Sequence, residues 1–250
     1  MKEQIYTLNT ITFKTIKLKY KNSVLGFFWS LLTPIVYLSI FTFIFSNAFP
    51  NIDNYPLFAI SAKIFWTYFA NSSIQIVNSV ISSAGILKSV NINSLIFPLS
   101  ALFAETFNLL LSFIPFGILM FLFGFEPSWE LLLLIPAIIL FMFFTLGFSL
   151  ILCALNVFYR DVGILWGTLM PALFYFTPIA YSYEVIPKSY QWVVKFNPLF
   201  HYIDLFRQIL YYNEFPSLEL LVTTTLLSIV FFGTGWFTYK KLERGFISNF

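Results

Sequence analysis

The side chains able to do demanding chemistry are few and scattered. A single histidine, His201, excludes the two-histidine zinc motifs. No G-x-x-x-x-G-K-[ST] stretch occurs, so the chain carries no phosphate loop of its own. Glu184, His201 and Asp204 come nearest to an acid, a base and an orienting group, yet their spacing matches no recognised catalytic pattern. No metal site is expected. One cysteine, Cys153, rules out an internal disulfide and reads as a small packing residue in an apolar run. Softer chemistry does recur at regular spacing. Asn71, Gln75, Asn78 and Ser82 share a helical face, where they hydrogen-bond neighbouring helices or line a polar wall. Tyr37, Phe41 and Phe45 repeat every four residues and offer ring faces for helix packing or for stacking on a ligand.

The elements that must position these residues are set by hydropathy. The chain has 250 residues, 59% hydrophobic and only 10% charged, which is too little polar material to cover a soluble globule. It reads as an all-α membrane protein. Six spans are expected, near 24–48, 57–80, 98–123, 131–156, 163–181 and 217–238. Residues 1–22 carry Lys14, Lys17 and Lys21 at helical spacing and predict an amphipathic helix in the headgroup plane, or a plain positive flank. Alternating the loops from a cytoplasmic N-terminus puts the N-terminal lysines, Lys88, Arg160, Lys240, Lys241 and Arg244 inside. Lys63, Lys188, Lys195 and Arg207 fall outside, so the positive-inside rule places both termini, including a tail at 239–250, in the cytoplasm. The whole of 1–250 reads as one transmembrane domain, with the six-helix bundle at 24–238. The lysines before the first apolar run do not make it a signal peptide, because that run is too long and lacks a cleavage site.

Local signals refine this outline. Glu105 is the acidic residue well inside a span, and an unpaired carboxylate there costs about 2.5 kcal/mol or more, so it must face protein or water. Residues 85–98, GILKSVNINSLIFP, form a short cytoplasmic segment with helical turns, suited to gripping by another protein or serving as an ordinary loop. Gly163 and Gly167 make a G-x-x-x-G that lets helices approach closely, although chance matches are frequent. From Tyr181 to Phe215 the outer segment is too rich in aromatics for a free loop. Asn197 followed by Pro198 is a cap and first-turn proline, so two short helices broken there are expected, packed as a re-entrant or interfacial hairpin between spans five and six.

Five stretches, in order, resemble the ABC-2 type permeases that export lipid-linked polysaccharides such as O-antigen, capsule and teichoic acid. They are KYKNSVLGFFWSLLTPIVY, SLIFPLS, LNVFYRDV, FYFTPIAYSYEVIP and NPLF. The resemblance implies a bacterial cytoplasmic-membrane homodimer of six-helix subunits, each bound to a nucleotide-binding ATPase that holds ATP and Mg. Its cargo would be an undecaprenyl-pyrophosphate-linked glycan. On that reading Tyr37, Phe41, Phe45, Asn71, Gln75 and Asn78 are glycan-path candidates. Lys14, Lys17, Lys21 and Arg160 are candidates for attracting the pyrophosphate headgroup. Ile86, Leu87, Lys88 and Ile92 are ATPase-coupling candidates, Gly163 and Gly167 a dimer contact, and Asn197 and Pro198 an outer gate. The chain itself binds no cofactor and no nucleic acid; its partners are the ATPase, a second copy, the glycan and membrane lipids. Similar proteins are often more basic around the cytoplasmic segment, where this one has only Lys88. The alternative function is a polytopic membrane enzyme acting on cell-surface glycans, an acyltransferase or ligase, which would have to draw on Glu184, His201 and Asp204. An ion channel is disfavoured, since neither a carboxylate ring nor a filter-like glycine run appears.

Overall fold

The computed structural model describes residues 2–21, 28–46, 48–50, 52–125 and 128–250, and among them every regular element is helical. Ten α-helices follow in order: α1 (Lys2–Tyr20), α2 (Phe28–Phe45), α3 (Tyr55–Ser82), α4 (Ala84–Ser89), α5 (Ile96–Leu122), α6 (Leu134–Phe158), α7 (Asp161–Phe176), α8 (Gln191–Lys195), α9 (Pro198–Leu210) and α10 (Leu218–Leu242). Helices therefore stand at each of the six places where hydropathy puts a span. Three stretches, Ile96–Leu122, Trp129–Phe158 and Leu218–Gly245, are long and apolar enough to cross a membrane. The other three differ for physical reasons. α3 is the longest at 28 residues, but the polar Asn71, Gln75 and Asn78 and the cation of Lys63 dilute its hydropathy. α7 has 16 residues, about 24 Å at 1.5 Å per residue, against a hydrocarbon core of about 30 Å. It stops at Phe176 because Thr177 precedes Pro178, and a residue before proline is driven out of the helical region. The apolar part of α2, Ile35–Phe45, is likewise short.

α3 is the hub, packed against α2, α5, α6, α7 and α9. Aromatic rings make the joints. Phe65 of α3 stacks on Phe206 of α9 with centroids 3.4 Å apart, while Tyr202 of α9 lies 5.0 Å from Phe141 and 4.8 Å from Phe144 of α6. Buried hydroxyls are satisfied at the same layer: Tyr202 donates to the Thr224 carbonyl at 2.9 Å, and Ser228 to the Leu140 carbonyl at 2.8 Å.

The most extensive pair is α6 with α10. Gly147 and Gly235 meet at its crossing, where a Cβ on Gly235 would stand 2.0 Å from the Gly147 carbonyl oxygen. Small residues at a crossing let backbones come together as no larger side chain allows. The G-x-x-x-G of α7 is used differently. A Cβ on Gly163 would meet the Asn156 side chain at 2.8 Å within the same chain, and Gly167 faces open space.

α1 lies along α5. Ile11 packs on the core, while Ile5 and Phe13 are exposed on the far side. The helix thus carries apolar groups for two surfaces, one of them the bundle.

Candidate functional site

Polar groups that cannot face lipid converge on a groove between α2, α3 and α5. α3 contributes positions 60, 63, 64, 67, 68 and 71, one helical face; α5 contributes 105, 108, 109 and 112; α2 contributes 29, 33 and 37. Together with Lys19 they enclose about 200 Å³. Polarity on an internal face, with apolar residues outward, is how a bundle keeps such groups out of hydrocarbon.

Glu105 anchors the inner part of the groove and is only 2% exposed. Lys19 donates to both its oxygens, at 2.8 and 3.1 Å, Asn108 donates at 3.1 Å, and Gln75 donates to Oε1. A carboxylate with this many donors is satisfied in place. The Lys19 ammonium, from the chain before the first apolar run, ties α1 to the bundle. Hydropathy reading places Lys19 in a basic flank and has Glu105 face protein or water; it does not pair them, because they are 86 residues apart. Replacing Glu105 with Ala strands three donors. The expected loss is about 1.5–3 kcal/mol, the range for a hydrogen bond to a charged group. Exchanging the pair, Lys19→Glu with Glu105→Lys, is expected to recover part of it. Thermal unfolding in detergent together with protease cutting in α1 measures both; a Glu105→Ala protein that melts and resists cutting like the native chain would remove the anchor role.

Lys63 stands in the groove wall, half-buried, with its Nζ 4.4 Å from the Tyr37 ring centroid and 4.9 Å from that of Phe174. It is eight residues inside α3, so its ammonium belongs to the bundle rather than to an outer loop.

The remaining glycan-path candidates disperse. Tyr37 and Asn71 line the groove. Phe45 packs with Phe49 and Tyr55 at the far end of α2. Asn78 donates to the Ile74 carbonyl and accepts a long bond from Asn156, which also donates to the Val77 carbonyl and accepts from the Gly163 amide. The Phe41 side chain lies outside the described residues. Lys14, Lys17, Lys21 and Arg160 are each exposed.

On the α4 side, Leu87 is buried, Ile92 packs against the core, and Ile86 and Lys88 are exposed. Lys88 donates to the Phe250 carbonyl at 3.0 Å. Nearby, Ser94 bonds Tyr239 at 2.9 Å and Glu243 at 2.8 Å, and Lys240 pairs with Glu243 at 2.7 Å. The segment after α10 is therefore locked to the α4 loop, a link with no sequence signature.

At the opposite end, Asn197 and Pro198 separate α8 from α9, and the Asn197 side chain caps α9 by accepting from Leu199 N at 3.1 Å. Its amide also donates to Thr177 at 2.8 Å. Arg207 is 5% exposed and donates to the carbonyls of Pro178 and Ile179, both at 2.6 Å, with its guanidinium 3.7 Å over the Phe58 ring. Burial draws its pKa down to about 10, so it is charged at neutral pH. Tyr55 donates to the Ala180 carbonyl. The carbonyls after the end of α7 are thus taken up by side chains of α3 and α9, while Asn197 holds the Thr177 hydroxyl. Helical periodicity does put Arg207 on the same face as Ile203 and Leu210, which is the available hint that it points inward. Glu184, His201 and Asp204 also share a cavity here, of about 370 Å³. His201 is engaged with the Lys195 carbonyl at 2.9 Å and Asp204 accepts from Gln208 at 3.3 Å.

Membrane-length apolar stretches around a polar groove held inside the bundle are the makeup of a helical membrane protein. Residues 6–211 match the ABC-2 type transporter family, and the chain belongs to it. It is 33% identical over 245 residues to the O-antigen export system permease protein RfbA of Klebsiella pneumoniae, covering 96% of this chain and 93% of that one. It is 22% identical over 255 residues to the polysialic acid transport protein KpsM of Escherichia coli, covering 98% and 97%. Over 244 residues it is 21% identical to the capsule polysaccharide export inner-membrane protein CtrC of Neisseria meningitidis serogroup B, covering 95% and 91%.

Proposed function

We propose that this chain is the permease subunit of a polysaccharide exporter that moves an undecaprenyl-pyrophosphate-linked glycan outward across the bacterial cytoplasmic membrane, driven by a separate ATPase subunit that binds ATP and Mg. The likeness to the O-antigen export permease over nearly all of both chains carries this reading. Two copies form the path. α2, α3, α5, α6, α7 and α10 span, with both termini in the cytoplasm, and α1 lies in the headgroup plane, where Lys14, Lys17 and Lys21, with Arg160, attract the pyrophosphate. The groove with Tyr37 and Asn71 offers sugars ring faces and hydrogen bonds. Gly167, where an added Cβ would meet nothing within 4 Å among the described residues, is the side of α7 available to a second copy. The α4 loop, with Ile86 and Lys88 exposed, receives the ATPase. α8 and α9 form a re-entrant outer hairpin, and the Asn197–Pro198 break serves as its gate.

The test is reconstitution. The pure chain is expected to hydrolyse no ATP, and an ATPase encoded beside it is expected to bind it and confer glycan-stimulated hydrolysis. A cysteine replacing Lys88 is expected to crosslink to that ATPase, whereas one replacing Lys188 is not. Crosslinking from Lys188 alone would invert the topology, and robust hydrolysis by the pure chain would sink the reading. Glycan turnover without any ATPase would instead favour an enzyme using the cavity of Glu184, His201 and Asp204.

A further inference from the structure

The groove holds a charge that no described residue in it cancels. Lys19 and Glu105 neutralise each other, and the carboxylate's remaining capacity is taken by Gln75 and Asn108. Lys63 is left, and among the described residues it forms no ion pair. Its ammonium is held by two aromatic faces, Tyr37 at 4.4 Å and Phe174 at 4.9 Å. Such faces orient a cation through the ring quadrupole but leave its net charge and its N–H donors in place. An ionisable group kept inside a bundle under these conditions marks a site, and the complement it lacks is an anion.

The walls say what should carry that anion. Trp29, Tyr37 and Tyr68 bring rings into the same groove, and Thr67, Asn71 and Ser112 bring hydroxyl and amide groups. Ring faces beside hydrogen-bonding side chains suit the apolar face and the hydroxyls of a pyranose. A bare phosphate would gain nothing from three aromatic rings, and a neutral sugar nothing from an uncompensated ammonium. α3 and α5 present these groups along successive turns, so a saccharide can lie lengthwise in the groove with its charged substituent at Lys63.

We propose that the groove between α2, α3 and α5 is a binding site for a sugar residue bearing a carboxylate or phosphate, with Lys63 as the partner of the anion and the determinant of acidic cargo. The proposal rests on the glycan-exporter reading and names the chemical class of the cargo. The anion has two possible sources, an acidic sugar within the glycan or the phosphate of the lipid carrier beside the first sugar.

The full chain in phosphatidylcholine nanodiscs is titrated with tetragalacturonate, with neutral maltotetraose and with undecaprenyl phosphate, as the native protein, Lys63→Gln, Lys63→Arg and a Lys188→Gln control. Native protein is expected to bind tetragalacturonate at least tenfold more tightly than maltotetraose. Lys63→Gln is expected to erase that preference, and Lys63→Arg to keep most of it. Because Lys63→Gln removes an uncompensated charge, folding is expected to survive, and an unchanged melting temperature and size-exclusion profile report that it has. If undecaprenyl phosphate rather than tetragalacturonate shows the dependence on Lys63, the anion site stands and its source is the carrier. A preference that persists in Lys63→Gln, or equal binding of the two oligosaccharides with carrier binding indifferent to Lys63, overturns the site and leaves the exporter reading intact. Native protein that binds none of the three overturns both.

Discussion

Replacing Gly235 with alanine is expected to cost most of the folded protein. The added Cβ would stand 2.0 Å from the Gly147 carbonyl oxygen and 2.6 Å from its carbon, and contacts under 3.0 Å are essentially never shown by real Cβ atoms. α6 and α10 must therefore separate by about an ångström at their crossing, and the obstacle is backbone, which cannot rotate aside. Overpacking into yielding side chains costs about 1–3 kcal/mol, and a rigid obstacle at the most extensive helix pair is expected to exceed that. Gly147→Ala is expected to behave alike, since its Cβ would meet the Phe231 carbonyl oxygen at 2.3 Å. Gly233, two residues away in α10, has nothing within 4 Å of its Cβ position. Gly233→Ala is thus the internal control, expected to be neutral or to gain up to about 1 kcal/mol from helix propensity. Size-exclusion profile and melting temperature in detergent measure all three. Should Gly235→Ala run and melt like Gly233→Ala, the crossing is loose and the close approach is not what holds α6 to α10.

Arg207→Leu is expected to loosen the link between α7 and α8. The guanidinium is the partner of the Pro178 and Ile179 carbonyls, which α7 has released and which lie buried. Stranding a buried acceptor costs about 1–3 kcal/mol, so losing both is a large fraction of ordinary stability. Arg207→Lys restores charge but not the planar fork that reaches two carbonyls at once, and is expected to fall between leucine and native. The Tyr181 position, replaced by cysteine, reports the loosening through its labelling rate with a membrane-impermeant maleimide. Unchanged melting and labelling in Arg207→Leu would mean that the Asn197 and Tyr55 contacts hold this segment unaided. The same measurement bears on the outer gate, because a gate at Asn197–Pro198 must move against the Arg207 clamp.

Much of the architecture was legible from local rules. Long apolar runs demand helices, because a backbone in hydrocarbon must bond to itself. The break between α8 and α9 was readable from two residues, since an asparagine cap followed by proline acts within a single turn. The order of five short stretches points to the ABC-2 transporters, and the family match covers the same ground. The polar stripe on α3 was visible as a stripe, but not its division, in which Asn71 opens into the groove while Gln75 serves Glu105.

Local rules say little about rotation and axial register, and these decided the site. A helix that is apolar nearly all round, as α6 and α10 are, has no face that periodicity prefers, so nothing in the chain announces that Gly147 meets Gly235. Lys19 with Glu105, 86 residues apart, and Arg207 with two carbonyls 28 and 29 residues upstream, are likewise beyond the reach of local rules. Charge counting placed Lys63 and Arg207 in outer loops because it scores a lysine or arginine by its loop number alone. The sequence by itself determined that this is a helical membrane protein of a recognisable kind, since those properties follow from composition and from bonds within a turn. Tertiary structure alone decided which polar groups share a groove and that Lys63 in it forms no ion pair among the described residues, since both depend on how the helices are rotated against one another.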